Sequence, residues 1–270
     1  TPRPMPLGLL AAGDGRKAEF ATFAAYMAAL RAAPASVNVA PMVGHTALRA
    51  SVMGDLGRAA TDAEIAEMRA LVQEAVDAGA LGLSTGTYYP PAEAAPTEEI
   101  IEVCRPLTGT RAVYATHMRN EADRCAESLE ESFAIGRALE VQVVISHHKL
   151  AGPANFGKSK LTLPMIRSAM QCQCVALDCY PYNASSTMLH LDPAKLQVKV
   201  VVAASKPHPE MAGRDLSDIA AAWGVDRLEA AKRLQPASAI YFSMDEADVQ
   251  NILAFEPTMI GSDGLPFGER

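Results

Sequence analysis

Short apolar runs alternate with amphipathic stretches of helical spacing along most of this 270-residue chain. Apolar runs bounded by turn residues indicate buried strands, and helices between successive strands place those strands parallel in one sheet. Six runs fit this pattern: VNVAPMVG (37–44), ALGLSTG (80–86), AVYATHM (112–118), VQVVISHH (141–148), CVALDCYPY (174–182) and TMIGSDG (258–264). The sequence therefore predicts an α/β fold built from βα repeats.

The stretches between these runs carry helix signals. Thr61 and Glu64 form a capping box, and Gly79 stands where a helix C′ glycine belongs. Further helices are predicted at about 97–105, 122–139, 160–171, 215–223, 225–234 and 245–254. The segment from about 183 to 206 departs from the βα rhythm, so it is predicted to be an insertion that builds a lid or a pocket wall. We expect one domain over residues 1–270.

Composition excludes several classes of partner. The net charge is −7 and no cluster of Lys and Arg is present, so nucleic acid is not expected as a partner. The longest apolar stretches are interrupted by charge and fall short of the roughly 18 residues that a spanning helix needs, so no membrane role is expected. Five cysteines without a CxxC pair favour a reducing compartment, the cytoplasm.

Metal-type ligands follow three of the predicted strands. His117, His147 and Asp263 each come after apolar or β-branched residues and before polar residues or glycine. The carboxyl ends of parallel strands meet on the ligand-binding side of such folds. Zinc accepts imidazole nitrogen and carboxylate oxygen, so these three ends predict a metal site that still needs a further ligand.

The alternation of side chains along a strand separates the neighbours of His147. His148 is expected to point away and to pack behind the site, whereas Lys149 returns to the face of His147 and could meet an anionic substrate group. Four more residues lie at or just after strand ends and could donate hydrogen bonds to a carboxylate or oxyanion: Tyr89, Arg119, Tyr180 and Ser186. From their types alone, the tyrosines could equally line the barrel, Arg119 could cap a helix, and Ser186 could belong to a turn.

Long blocks of the chain resemble the D-aminoacylases, the N-acyl-D-amino-acid deacylases of the amidohydrolase superfamily. The blocks are VNVAPMVGHTALR, AGALGLSTGTYYPP, YATHMRNE, VVISHHKLAGPANFGKS, ALDCYPYNASST, SKPHPEMAGRDL, AIYFSMDEADV and TMIGSDGLP. They extend over nearly the whole chain and are far more specific than any short motif.

The resemblance implies a zinc-dependent (β/α)₈ TIM barrel that hydrolyses the amide of an N-acyl-D-amino acid to a carboxylate and a free D-amino acid. By motif position, His117 and His147 match zinc ligands on the fifth and sixth strands. Asp263 matches the eighth-strand aspartate that takes a proton from the attacking water and passes it to the leaving amine. The positions that match substrate-binding residues are Lys149, Tyr89, Tyr180, Ser186 and, less closely, Arg119.

The chain also departs from the family pattern. No HxH pair occurs, although the family has one on its first barrel strand and a cysteine ligand on the next. The expectation is therefore an incomplete barrel with strands three to eight, without the small β-sandwich of the family. A catalytically silent fragment or binding protein that keeps the pocket is the alternative, and a cyclic amidase is the rival enzyme. Neutral hydrophobic D-amino acids are the expected substrates, since no cation apart from Arg119 stands ready for a side-chain carboxylate.

Overall fold

The computed structural model describes residues 20–264, which contain ten α-helices and nine β-strands. The first half of this range forms α1 (Phe23–Ala32), β1 (Met42–Gly44), α2 (His45–Val52), α3 (Asp62–Asp77), β2 (Gly82–Gly86), α4 (Pro90–Glu93), α5 (Thr97–Val103), β3 (Val113–His117), α6 (Cys125–Leu139) and β4 (Gln142–Ile145). The second half forms α7 (Ser159–Ala169), β5 (Val175–Cys179), β6 (Ser185–Met188), β7 (Lys199–Ser205), α8 (Leu216–Trp223), α9 (Arg227–Leu234), β8 (Ala237–Phe242), α10 (Glu246–Leu253) and β9 (Thr258–Ile260).

Six of the strands form one parallel sheet, in the order β1-β2-β3-β4-β5-β9. Each strand comes from one of the six predicted apolar runs, and helices connect most successive strands, so the prediction of a partial α/β barrel is confirmed. Because all six strands run the same way, their carboxyl ends lie at one edge of the sheet. That edge carries His117, the last residue of β3.

Local sequence signals account for the helices that cover the sheet. In α3 the Thr61 side chain accepts from the Glu64 amide, and the Glu64 carboxylate accepts from the Thr61 amide, which is the predicted capping box. Met68 and Val72 from the inner face of α3 are completely buried. Gly79 follows the helix with φ 101°, a conformation that glycine adopts without steric cost.

A second, antiparallel sheet interrupts the βα order between β5 and β9. Its strand order is β6-β8-β7, and α8 and α9 lie between β7 and β8 in the chain. The segment 183–206, predicted to be an insertion, contains β6 and β7, and the third strand of this sheet, β8, ends at Phe242. The pairing of β8 with these strands is not visible in the sequence, because α8 and α9 have the spacing of ordinary crossover helices.

The two sheets have separate apolar cores. The larger core lies between the parallel sheet and its helices and includes Leu83, Leu129 and Leu177. The smaller one joins the antiparallel sheet to α8 and α9 through residues such as Val200 and Leu234. No helix within residues 20–264 combines the length and hydropathy needed to cross a membrane.

Candidate metal centre

Two imidazoles meet at the carboxyl ends of the adjacent strands β3 and β4. His117 is the last residue of β3, and His147 lies in the turn that follows β4. The pairing of Thr116 with Ile145 puts these two strand ends level. His117 Nδ1 is 3.0 Å from His147 Nε2, and the ring centroids are 4.6 Å apart. The predicted convergence of these two histidines is therefore present in the structure.

The backbone turns sharply at His147. The strand predicted to continue through His148 ends at Ile145, and His147 has a left-handed φ of 40°. Asp178 on β5 holds this turn, because its Oδ1 accepts the His147 amide at 2.8 Å and its carbonyl accepts the His148 amide at 2.8 Å. A non-glycine residue in this conformation costs about 1–2 kcal/mol, so the carboxylate of Asp178 offsets a local strain.

The side chains of the two residues that follow this turn still separate as predicted. His148 points behind the site, where its Nε2 lies 2.9 Å from Thr162 Oγ1 on α7. Lys149 returns to the site, and its Nζ lies 2.7 Å from His147 Nδ1. His148 is therefore a packed, hydrogen-bonded residue, and Lys149 belongs to the charged cluster.

Glu121 completes this cluster and was not singled out in the sequence analysis. Its Oε1 lies 2.7 Å from Lys149 Nζ and 3.1 Å from His147 Nδ1, and its Oε2 lies 3.5 Å from His117 Nε2. The carboxylate thus faces the outer nitrogen of each imidazole. The available signal was its place four residues after His117, in the loop between a strand end and α6.

The donor set fits a divalent cation such as zinc. Two nitrogens that bind one zinc at 2.0–2.1 Å with tetrahedral geometry lie about 3.3 Å apart, close to the 3.0 Å between His117 Nδ1 and His147 Nε2. Histidine ligands commonly direct their other nitrogen to a carboxylate, as these two do toward Glu121. Ligand atoms of the three residues lie within 4.8 Å of one another, so Glu121 is within reach of a shared ion as well.

Electrostatics favours the protonation states that a metal site requires. Burial lowers the pKa of His117 to about 4, so its imidazole is neutral at pH 7 and free to ligate. Burial opposes ionisation of Glu121, but the contacts with His117, Lys149 and His147 outweigh it and hold the pKa of Glu121 below its usual range. The cluster therefore combines a neutral imidazole, an anionic carboxylate and an ammonium.

Two predicted tyrosines border the imidazoles. The Tyr89 ring lies 4.9 Å from the His117 ring, and its hydroxyl is 3.4 Å from Thr187 on β6. The Tyr180 ring lies 6.3 Å from the His147 ring and 5.4 Å from Lys149 Nζ. The Tyr180 hydroxyl is buried without a hydrogen-bond partner among the described residues, so it is a donor available to a ligand.

Asp263 and Ser186 lie with Tyr180 along an open cleft beside the cluster. Asp263 follows β9 in a left-handed conformation, φ 48°, and is exposed. Burial is the main cause that raises the pKa of Tyr180, followed by the charge of Glu121 and then by that of Asp263. The effect of Asp263 indicates that its carboxylate lies near Tyr180. Asp263 is not part of the His117, His147 and Glu121 cluster, so the carboxylate that the structure brings to the imidazoles is Glu121.

Arg119 is directed away from this cleft. Its guanidinium donates to Glu131 at 2.8 Å and to the carbonyls of Glu93 and Ala95 at 2.9 Å each. These contacts use most of its donors, and Arg119 does not line the cleft. The predicted substrate contact of Arg119 stays a prediction that its present partners do not favour.

The chain is similar to known proteins in both sequence and fold. The chain is 58% identical over 267 residues to a D-aminoacylase of Alcaligenes xylosoxydans xylosoxydans, covering 99% of the chain and 55% of the relative. It is 56% identical over 265 residues to an N-acyl-D-aspartate deacylase of the same organism, covering 98% of the chain and 53% of the relative. No protein-family model matches the chain.

Solved structures agree with the sequence relatives. A crystal structure of D-aminoacylase, described as defining a subset of amidohydrolases, superposes with a TM-score of 0.93 at 56% identity, over 98% of this chain and 56% of that one. N-acyl-D-glutamate deacylase from Bordetella bronchiseptica, complexed with zinc and a phosphonate inhibitor, gives a TM-score of 0.88 at 44% identity over 93% of this chain and 53% of that one. The chain spans about half the length of the curated relatives it matches.

Proposed function

Because this chain belongs to the D-aminoacylase family of amidohydrolases, we propose that the complete protein hydrolyses the amide bond of N-acyl-D-amino acids with a bound zinc ion. The observation that carries the proposal is the 3.0 Å approach of His117 Nδ1 and His147 Nε2 with Glu121 behind both rings. The products are a carboxylate and a free D-amino acid.

His117 and His147 are the proposed zinc ligands, with Glu121 as the carboxylate that orients them. Zinc is the metal in the related N-acyl-D-glutamate deacylase structure. When bound, the ion supplies Lewis acidity toward the scissile carbonyl and toward the attacking water. Sites of this class use three protein ligands, so a further ligand joins these residues in the complete protein.

Asp263 is the proposed general base and acid. Its carboxylate stands at the mouth of the cleft beside Tyr180, where it can take a proton from the attacking water and return it to the departing amine. Tyr180 supports this geometry, since its unpaired hydroxyl is available to donate to the carbonyl oxygen as negative charge develops there.

Lys149 is the proposed partner of the substrate α-carboxylate. An ammonium has three N–H donors, and contacts with Glu121 and His147 occupy two of those of Lys149. The third can meet the carboxylate, assisted by Ser186 and Tyr89 on the neighbouring walls. With the carbonyl and the carboxylate both fixed, only a D-configured centre directs its side chain into open space, which is the proposed basis of selectivity for D over L substrates.

We also infer a cytoplasmic enzyme that acts on small molecules. The five cysteines Cys104, Cys125, Cys172, Cys174 and Cys179 are all free thiols in the structure, which favours a reducing compartment. The net charge of −7 and the lack of a basic cluster argue against nucleic acid as a partner.

The test is metal analysis and deacylation with the complete protein. We expect stoichiometric zinc and release of free D-amino acid from N-acetyl-D-amino acids, with no release from the L enantiomers. A Glu121→Gln variant keeps the shape of the side chain but loses its charge, so zinc affinity should fall about 10- to 100-fold. Zinc affinity is measured by competition with a chelator.

A Glu127→Gln variant, which changes an exposed carboxylate on α6, serves as the matched control and should leave zinc affinity unchanged. Zinc below stoichiometry together with no turnover would favour a silent protein that keeps the pocket. Turnover of hydantoins without turnover of acyl amino acids would favour a cyclic amidase.

A further inference from the structure

A cation from the antiparallel insertion lies near the proposed metal centre, on the far side of the Tyr88 ring from His117. Lys195 lies in the turn between β6 and β7, and its ammonium donates to the hydroxyl of Tyr88 and lies 4.3 Å from the centroid of that ring. The Tyr88 ring in turn packs against the His117 ring, with centroids 5.3 Å apart. One aromatic ring therefore separates the Lys195 side chain from a proposed zinc ligand.

The charge of Lys195 is not neutralised by a neighbour. Within residues 20–264 no carboxylate lies within ion-pair distance of its Nζ, whereas Lys149 is paired with Glu121 at 2.7 Å. Glu93 and Asp192 are the acidic groups that face Lys195, and they act on it only from longer range. Burial raises the pKa of Tyr88 to about 12, so the hydroxyl that Lys195 contacts is uncharged at neutral pH.

The surrounding segment holds Lys195 in place. The next residue, Leu196, is 2% exposed and belongs to the core of the antiparallel sheet. On the other side, the His190 amide donates to the Tyr241 hydroxyl at 2.8 Å, and His190 Nε2 lies 3.2 Å from the Tyr88 hydroxyl. Burial lowers the pKa of His190 to about 4, so Lys195 is the cationic member of this group at neutral pH.

We propose that Lys195 binds a carboxylate on the side chain of the D-amino acid, so that this protein prefers N-acyl-D-amino acids with acidic side chains. The inference rests on the proposed function. In aspartate and glutamate derivatives the second carboxylate lies three or four bonds from the scissile nitrogen, so it can extend away from the bond that is cleaved. The sequence alone predicted a preference for neutral hydrophobic side chains, and the present proposal differs from that prediction.

The physical basis is the unbalanced charge. A partly buried ammonium whose only polar partner is a neutral hydroxyl gains a charge-assisted hydrogen bond when an anionic side chain arrives. A neutral aliphatic side chain would leave the ammonium partly desolvated without that compensation. Lys195 therefore favours substrates with acidic side chains over those with aliphatic side chains.

The experiment compares kcat/KM for N-acetyl-D-aspartate, N-acetyl-D-glutamate and N-acetyl-D-leucine with the complete protein and its Lys195→Met variant. Methionine keeps the unbranched shape of lysine and removes the charge. We expect kcat/KM for the better acidic substrate to fall about 10- to 100-fold, the range for loss of a hydrogen bond to a charged group, and kcat/KM for the leucine derivative to stay the same or rise. Lys195→Arg should retain most of the acidic preference.

Lys232→Met, at an exposed position on α9 of the same insertion, is the matched control and should leave kcat/KM for all three substrates unchanged. A wild-type preference for the leucine derivative, or an equal fall for all three substrates, would overturn the inference while leaving the proposed function intact. If no N-acyl-D-amino acid is hydrolysed, the proposed function fails. In that case ligand-observed NMR measures the binding of the same three compounds. The inference requires that the acidic compounds bind more strongly than the leucine derivative and that the Lys195→Met variant loses this difference.

Discussion

His148 lies next to a proposed metal ligand, and its own contacts contribute to stability. Its ring is 1% exposed, and its Nε2 lies 2.9 Å from Thr162 Oγ1. Burial lowers the pKa of His148 to about 4, from an ordinary value near 6.5. The folded protein therefore keeps this imidazole neutral where the unfolded chain would protonate it.

This difference predicts acid sensitivity with a definite sign. Between pH 6.5 and 4 the unfolded state binds more protons at His148 than the folded state, so the free energy of unfolding falls as the pH drops through this window. The contribution at pH 5 is about 2 kcal/mol. In a His148→Leu variant, the loss of stability between pH 7 and pH 5, measured by urea denaturation of the metal-free protein, should be smaller by about that amount.

A Leu161→Ala variant changes an exposed side chain on α7 that does not titrate, and it should leave the pH dependence as in the wild type. Equal pH dependence in the wild type and the His148→Leu variant would contradict the prediction, because it would show that folding does not lower the pKa of His148.

At the scale of elements, the segment 88–95 is held by two guanidinium groups. Arg49 on α2 donates from Nε to the Pro91 carbonyl at 2.9 Å, and Arg119 donates to the carbonyls of Glu93 and Ala95. Each arginine is itself paired with a carboxylate, Glu99 for Arg49 and Glu131 for Arg119. This double anchor positions the segment whose first two residues, both tyrosines, pack against His117.

Arg119→Lys should therefore loosen the segment. A lysine cannot reproduce the planar fork that bridges a carboxylate and two carbonyls, so the variant should lose about 1–3 kcal/mol of local stability. Hydrogen exchange of the amides of Ala92, Glu93 and Ala95, followed by mass spectrometry, should become faster. Arg124→Lys, at an exposed pair with Glu127, is the control and should leave this exchange unchanged.

The same variant distinguishes the two roles considered for Arg119. If Arg119 contacts the substrate, as the family resemblance implies, Arg119→Lys would raise KM while exchange in the segment 88–95 stayed at the wild-type rate. Faster exchange would instead identify it as a positioning residue.

The parallel sheet was predictable because its signals are local, whereas much of the site was not. Each apolar run between turn residues became a strand, and the capping box of Thr61 and Glu64 formed as expected. The turn at His147 depends on Asp178, which comes from the next strand, and the place of Lys195 depends on contacts with Tyr88, more than a hundred residues earlier. Such contacts follow from tertiary packing, which the spacing of one sequence does not encode.

Glu121 lies between these extremes. It stands close to His117 in the chain, and the loop that carries it returns to the carboxyl end of β3, so its contact with the imidazole is nearly local. The prediction of a carboxylate partner from Asp263 came from its place after a predicted strand and overlooked this nearer group. An acidic residue four positions after a strand-end histidine, in the loop that follows the strand, is a candidate partner for the outer nitrogen of that histidine.

At the scale of the whole molecule, the parallel sheet has two edges over residues 20–264. β1 pairs with β2 alone, and β9 pairs with β5 alone. Apolar side chains lie exposed at both edges: Val37 and Val39 before β1, and Met259 and Ile260 on β9, where Ile260 is 67% exposed. Open strands with apolar side chains are templates for pairing with another chain.

We therefore expect the 270-residue polypeptide, produced by itself, to associate through these edges in a concentration-dependent manner. Ile260→Lys places a charge on the β9 edge, and it should raise the midpoint concentration of association roughly tenfold, since burying such a side chain is worth about 1.5 kcal/mol. Analytical ultracentrifugation measures the midpoint. Leu161→Lys, at an exposed apolar position on α7, is the matched control. A monodisperse monomer at high concentration would contradict the expectation.

The separation of the molecule into two apolar cores has a consequence for how such enzymes diversify. The residues proposed for chemistry, His117 and His147, are attached to the core of the parallel sheet, whereas Lys195 and Ser186 belong to the antiparallel insertion with its own core. If the proposed function holds, mutations that reshape the insertion alter which compound is accepted and leave the geometry of bond cleavage in place. Substrate selectivity would then evolve through changes in the antiparallel sheet, and catalytic activity through changes in the parallel sheet.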